Sequence, residues 1–169
     1  GLMMSSASQA EAKSFKLASL APQDSAWGKL IRSMASEIKK ETKGKVNFKL
    51  FLGGKLGDES KTAKKLGRGL DGAFFTGQGM GLLLPAFRVQ ELPFLISSYE
   101  EADKARKALW PDFEAAFEKE TNYVLLGGGE TGMVYVFSKQ AIPDIDGLRK
   151  AKLWVWEGDT VASDTFKVF

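Results

Sequence analysis

The feature that most constrains this chain is a change of hydrophobic period, from two to three-and-a-half and back. Residues 14–20 alternate apolar and polar around Phe15 and Leu17, as a strand does. After the break at Pro22-Gln23-Asp24, the residues Trp27, Leu30, Ile31, Met34, Ala35 and Ile38 recur at spacings of three and four. That spacing puts them on one stripe of a helix, with Asp24 or Ser25 as its cap and Gly44 as its stop. Val46, Phe48 and Leu50 then return to the period of a strand. Strand, helix, strand in that order seeds a parallel sheet, so the expected class is α/β.

The remaining pattern extends this reading. A Gly-rich turn at 53–58 precedes a short basic helix ending near Leu66, and residues 73–76 form a compact apolar strand. A Gly/Leu stretch at 77–84 is closed by Pro85, and Glu91-Leu92-Pro93-Phe94-Leu95 predicts a buried extended segment. From Ser98 a long helical pattern runs through a kink at Trp110-Pro111. Residues 123–126, 133–137 and 153–156 read as strands, and Asp159 or Thr160 caps a last helix. The pattern stops just inside that helix, which predicts a truncated domain.

Composition narrows the chemistry. The 169 residues include no cysteine and no histidine, which removes disulfides, Cys/His zinc sites and every mechanism that needs a thiolate or an imidazole. A hydrolase or lyase would have to work with carboxylates such as Asp58, Glu59 or Glu130, so the expectation is a binding protein, not an enzyme. Residues 1–70 carry 14 Lys+Arg against 6 Asp+Glu, and residues 71–169 carry 10 against 15. The cations are scattered, dense only over 61–68, and no RNA-type aromatic motif accompanies them, so a solvated face is expected and no nucleic acid. No apolar run approaches the ~20 residues that span a bilayer. Ala10-Glu11-Ala12 has the pattern of a signal-peptidase site, which makes residues 1–12 the remnant of a secretory signal or a disordered terminus.

Four local signals bear on function. Gly67, Gly69 and Gly72 satisfy G-x-G-x-x-G, but a basic helix precedes them and a strand follows. Dinucleotide binding needs the reverse order, a strand before and a helix N-terminus after. Asp112, Glu114, Glu118 and Glu120 do not share one helical face, so they predict a solvated surface and no metal. The run Gly127-Gly128-Gly129-Glu130 reads as a turn. In Trp154-Val155-Trp156-Glu157-Gly158-Asp159, two indoles point to one side of an extended segment just before a helix, either as core or as a pocket wall. Ligands of α/β sheets gather at that edge, and Trp27 follows the first strand in the same way.

With these segments placed, the chain resembles the periplasmic solute-binding subunits of TRAP transporters, the DctP-type family. The resemblance is carried by FKLASLAP (15–22), GKVNFKLFLGGKLGDES (44–60), GLDGAFFTG (69–77), ELPFL (91–95) and FSKQAIPDIDGLRKAKLWVWEGD (137–159). It implies two α/β lobes around a hinged cleft, with residues 13–135 as lobe one and residues 136–169 as the hinge strand and beginning of lobe two. It also implies a small-molecule ligand, no cofactor, periplasmic residence and membrane subunits as partners; a lobe this short would otherwise pair with another chain. Members that bind organic acids hold the carboxylate with an arginine where this sequence has Trp154, and a second arginine falls near Met133. The expectation is therefore a lipophilic or largely apolar ligand, with Trp27, Phe75, Met133, Trp154 and Trp156 lining the pocket and Ser19, Gln78 and Glu157 as polar contacts. The alternatives are an organic-acid receptor whose cation comes from elsewhere, for example Arg88, and an interaction module with no ligand.

Overall fold

Lys13–Ser19 (β1), Ala26–Glu41 (α1) and Val46–Phe51 (β2) form the expected strand–helix–strand unit in the computed structural model, which describes residues 12–168. The secretory-signal reading of residues 1–12 lies, Ala12 apart, outside the described residues. β1 and β2 pair in parallel, with Phe15 opposite Phe48 and Leu17 opposite Leu50. A third parallel strand, Gly72–Phe74 (β3), pairs on the other side of β1, giving the order β2-β1-β3. Glu59–Ala63 (α2) lies on the crossover between β2 and β3.

Local chemistry sets these boundaries. The Ser25 side chain accepts the Gly28 N–H, and its own hydroxyl donates to the Pro22 carbonyl at 2.7 Å. Gly28 is buried so tightly that a Cβ there would stand 2.1 Å from the Pro22 carbonyl oxygen. At the other end of α1, the Thr42 N–H and hydroxyl both donate to the Ile38 carbonyl. Gly44 at φ +78° donates its N–H to the Lys39 carbonyl, so the chain leaves the helix where the sequence predicts. Asp58 caps α2 through the Lys61 N–H at 2.8 Å. Gly67 and Gly69 both have positive φ and turn the chain from α2 towards β3, with no helix N-terminus behind them. Ala18, Ile31, Leu52, Leu66 and Leu70 are the buried apolar residues of this part.

Contacts divide the chain into two units between Phe75 and Thr76. In the second unit Gly77–Leu83 (α3) leads into a 3-10 helix, Pro85–Glu91, and then into the long helix Tyr99–Glu120 (α4). Ser98 caps α4 by accepting the Glu101 N–H, and α4 runs through Pro111 as one element. Leu84, Phe113 and Phe117 form its core, flanked by Met80, Leu83, Phe87 and Leu109. Phe87 and Phe113 stack with ring centroids 4.7 Å apart. Ile145–Lys150 (α5) and Thr160–Val168 (α6) complete the element order. Among the described residues no helix is long and apolar enough to cross a membrane.

Two expectations are corrected. Residues 123–126, 133–137 and 153–156, the last including the expected hinge strand, are not paired strands; the described residues offer them no neighbouring strand, and an isolated strand has no ladder to stabilise it. Their side chains show it, with Leu126 93% and Val134 97% exposed. Residues 91–95 are a turn rather than a buried extended segment, with Phe94 at φ +64° and 86% exposed. Helix α5 has no counterpart in the sequence pattern, although Asp144, which accepts the Gly147 N–H at 2.7 Å, is a cap of the usual kind.

Gly28→Ala should destabilise the protein by about 1–3 kcal/mol, because the added methyl meets backbone rather than a movable side chain; a thermal melt beside a Ser33→Ala surface control measures it. The Lys61 backbone N–H holds the Asp58 carboxyl below the usual range, and the Ser97 backbone N–H and hydroxyl do the same for Glu101. A carboxyl depressed by folding contributes stability at pH above its unfolded value and loses it as pH falls through the folded value. Both carboxyl carbons should therefore titrate by NMR at lower pH than unperturbed aspartate and glutamate, and the caps of α2 and α4 should weaken only as pH falls through those lowered midpoints.

Candidate ligand site

Because β1, β2 and β3 are parallel, their C-terminal ends share one edge of the sheet, and ligand-binding residues of α/β proteins collect there. Ser19 ends β1 opposite Phe74 in the register, and Phe75 follows β3 directly. Trp27, half-buried, sits in the first turn of α1 just beyond the same edge. The edge is laced by backbone bonds: the Gly54 N–H donates to the Ser19 carbonyl at 3.2 Å and the Gly53 N–H to the Ala21 carbonyl at 2.9 Å. Gly53 and Gly54 both have positive φ, which lets the turn after β2 fold back against the turn after β1. The buried Ser19 hydroxyl accepts the Ala21 N–H at 3.1 Å and keeps its proton to offer. Ser19, Trp27 and Phe75 thus share one edge of the first unit.

The other five expected site residues belong to the second unit. Trp154 and Trp156 stand edge to face with ring centroids 4.7 Å apart. They are 72% and 55% exposed, so they are not core. Their contact follows from the extended backbone, which sends residues two apart to the same side. Gln78, in the first turn of α3, donates its amide N–H to the Glu157 main-chain carbonyl at 3.0 Å. The structure therefore brings Gln78 and Glu157 together through the backbone of the tryptophan segment, while the Glu157 side chain is exposed. Met133 is half-buried in the irregular stretch after α4.

Two residues outside that set organise the same place. Asp159 accepts the Ala162 N–H at 3.2 Å and so caps α6, the role its position predicts. The same Oδ1 accepts from the Arg88 guanidinium at 2.7 Å, and Arg88 Nε lies 2.6 Å from the Glu91 carboxylate. Arg88 and Asp159 are only 15% and 17% exposed. The arginine entertained as a clamp for a ligand carboxylate is therefore engaged twice inside the protein. Nothing in a single sequence signals an ion pair across 71 positions. The acidic residues of α4 behave as a surface, with Glu114 accepting the Trp110 indole N–H.

Two open grooves occur elsewhere in this unit. One of about 520 Å³ is lined by Val136, Ser138, Gln140, Ile142, Ile145 and Leu148 among others, and one of about 330 Å³ by Leu92, Pro93, Val161 and Val168 among others. Neither is lined by any of the eight expected site residues.

Comparison with known proteins places the chain. Residues 17–169 match the model of the DctP family, "bacterial extracellular solute-binding protein, family 7". A solute-binding protein of Chromohalobacter salexigens is 32% identical over 101 residues, covering 59% of this chain and 30% of that protein. Among solved structures, a TRAP periplasmic solute-binding protein of the same organism with bound D-glucuronate is 27% identical with a TM-score of 0.57. One from Xanthobacter autotrophicus with bound β-D-galacturonate is 26% identical with a TM-score of 0.58. Each match covers 63% of this chain and 36% of the solved one, so the chain spans about a third of the length of these relatives. On the strength of a family match that runs from the end of β1 through α6, the protein belongs to the DctP family of bacterial extracellular solute-binding proteins.

Proposed function

We propose that the protein is the periplasmic solute receptor of a TRAP-type transporter, which captures a small ligand and delivers it to membrane subunits, and that this ligand is lipophilic or largely apolar. Under this reading residues 13–135 belong to lobe one and residues from 136 onward enter lobe two. Ser19, Trp27, Phe75, Gln78, Met133, Trp154, Trp156 and Glu157 are its ligand-binding residues under this reading.

The observation that carries the ligand class is the engagement of Arg88 by Asp159 and Glu91 beside two exposed indoles. A carboxylate leaving water needs a cation or several N–H donors, and burying it unpaired costs several kcal/mol. Pulling Arg88 towards a ligand would break both of these ion pairs. The Trp154–Trp156 pair instead offers a polarisable apolar wall, which suits an apolar skeleton. A second reading, an organic-acid receptor, is favoured by the uronates bound in the two relatives. It requires a cation other than Arg88.

Organic-solvent extraction of the purified protein followed by mass spectrometry is the direct test. A stoichiometric apolar compound is expected, and a small polar acid in its place would move the assignment to the second reading. Trp154→Arg should tighten D-glucuronate binding by about 1.5–3 kcal/mol, the worth of a charge-assisted bond, or roughly ten- to a hundredfold by calorimetry. Unchanged binding would mean that position 154 does not face the ligand.

A further inference from the structure

The tryptophan segment has an unusual support. Residues 152–158 belong to no helix or strand, and their side chains at Trp154 and Trp156 are mostly exposed. Neither ladder hydrogen bonds nor core packing of these indoles fixes the segment. Two bonds distant in sequence meet its C-terminal end: the Gln78 amide on the Glu157 carbonyl, and the Arg88 guanidinium on Asp159. Both reach it from consecutive elements, α3 and the 3-10 helix. These elements pack on the Leu84–Phe113–Phe117 core through Met80, Leu83 and Phe87. Arg88 is further steadied by Glu91 one turn along its own helix, and its aliphatic stem lies under Gly81, where a Cβ would come within 2.6 Å of its Cγ and Cδ.

We infer that Arg88 is the positioning residue of this site: through Asp159 it holds the Trp154–Glu157 segment against the 3-10 helix and so sets where the indole pair stands. The inference rests on the proposed site only for its consequence, that ligand contacts at Trp154 and Trp156 depend on Arg88. The tether itself is independent of ligand class. Its geometry is that of a partly buried, charge-assisted bond, which is short and directional. Such a bond orders a segment that would otherwise sample many conformations. Because Asp159 also caps α6, the charge and the cap are separable: asparagine keeps the capping oxygen and loses the charge.

The test is hydrogen–deuterium exchange on the protein and three variants, read peptide by peptide. Arg88→Gln should raise uptake across residues 152–159 several-fold and leave α1 unchanged. Asp159→Asn, whose Oδ1 still accepts from the guanidinium but without the charge, should raise uptake there by less while the peptide over α6 stays protected. The double variant should show no more uptake at 152–159 than Arg88→Gln alone, since both act on the same ion pair. Unchanged uptake at 152–159 in Arg88→Gln would overturn the inference. Equal increases in α1 would also overturn it, because they would mean loss of the whole fold rather than release of a tether. Additive effects in the double variant would show that the two residues act separately, which overturns it as well. None of these readouts involves a ligand, so failure of the tether and failure of the ligand assignment are read by separate measurements.

Discussion

Parallel pairing about β1 is the constraint on which the first unit depends. A parallel strand cannot be joined to its neighbour by a tight hairpin, so each return must cross over the sheet. α1 makes the first crossover and α2 the second, and β1 ends up central, bonded on both sides. Every strand then ends at the same edge, and every turn that leaves a strand gathers there. That is why Ser19, Trp27, Gly53 and Phe75, far apart in sequence, are neighbours in topology. Gly28 is part of the same constraint: the helix must start so close to the β1 turn that only a residue without a side chain fits against Pro22.

The second unit obeys a different logic. Its order comes from helix-on-helix packing around Leu84, Phe113 and Phe117, and the irregular stretches after α4 contribute only Tyr123 and Leu125 to that cluster. Strand-like sequences without a strand beside them stay unpaired, and their backbone groups join no ladder. Where order does extend beyond the helices, polar tethers supply it. Asp159 receives both a helix N–H and a guanidinium, and Arg106 bridges Asp103 on its own helix and Glu130 beyond it.

The difference between the two units is also the difference between what the sequence does and does not reveal. β1, α1 and β2 were legible because period, cap and stop all agree within residues 14–50. The Ser25, Asp58 and Ser98 caps repeat that agreement over single turns. Residues 123–137 and 153–156 have the composition of strands, but strand formation is a property of a pair, and periodicity says nothing about whether a partner is present. Residues 91–95 failed for a related reason: an apolar run gives its hydrophobicity without its turn geometry, and Phe94 at positive φ is a conformation no propensity favours. At the site, the Trp154–Trp156 contact follows from spacing alone. The Arg88–Asp159 pair does not, since both residues have ordinary local explanations that hide a bond across the unit.

That hidden pair changes the electrostatic argument about the ligand. Read as a string, the segment around Trp154 has an arginine available in the same half of the chain and could accommodate an acid. In the folded unit Arg88 is neutralised by two carboxylates, and the exposed Glu157 adds negative charge next to the indoles. An apolar ligand is indifferent to both effects, and it gains from each square ångström of indole taken out of water. On the proposed reading the same arginine does two things at once: it holds the indole segment in place, and by being engaged in that task it is withdrawn from binding charge.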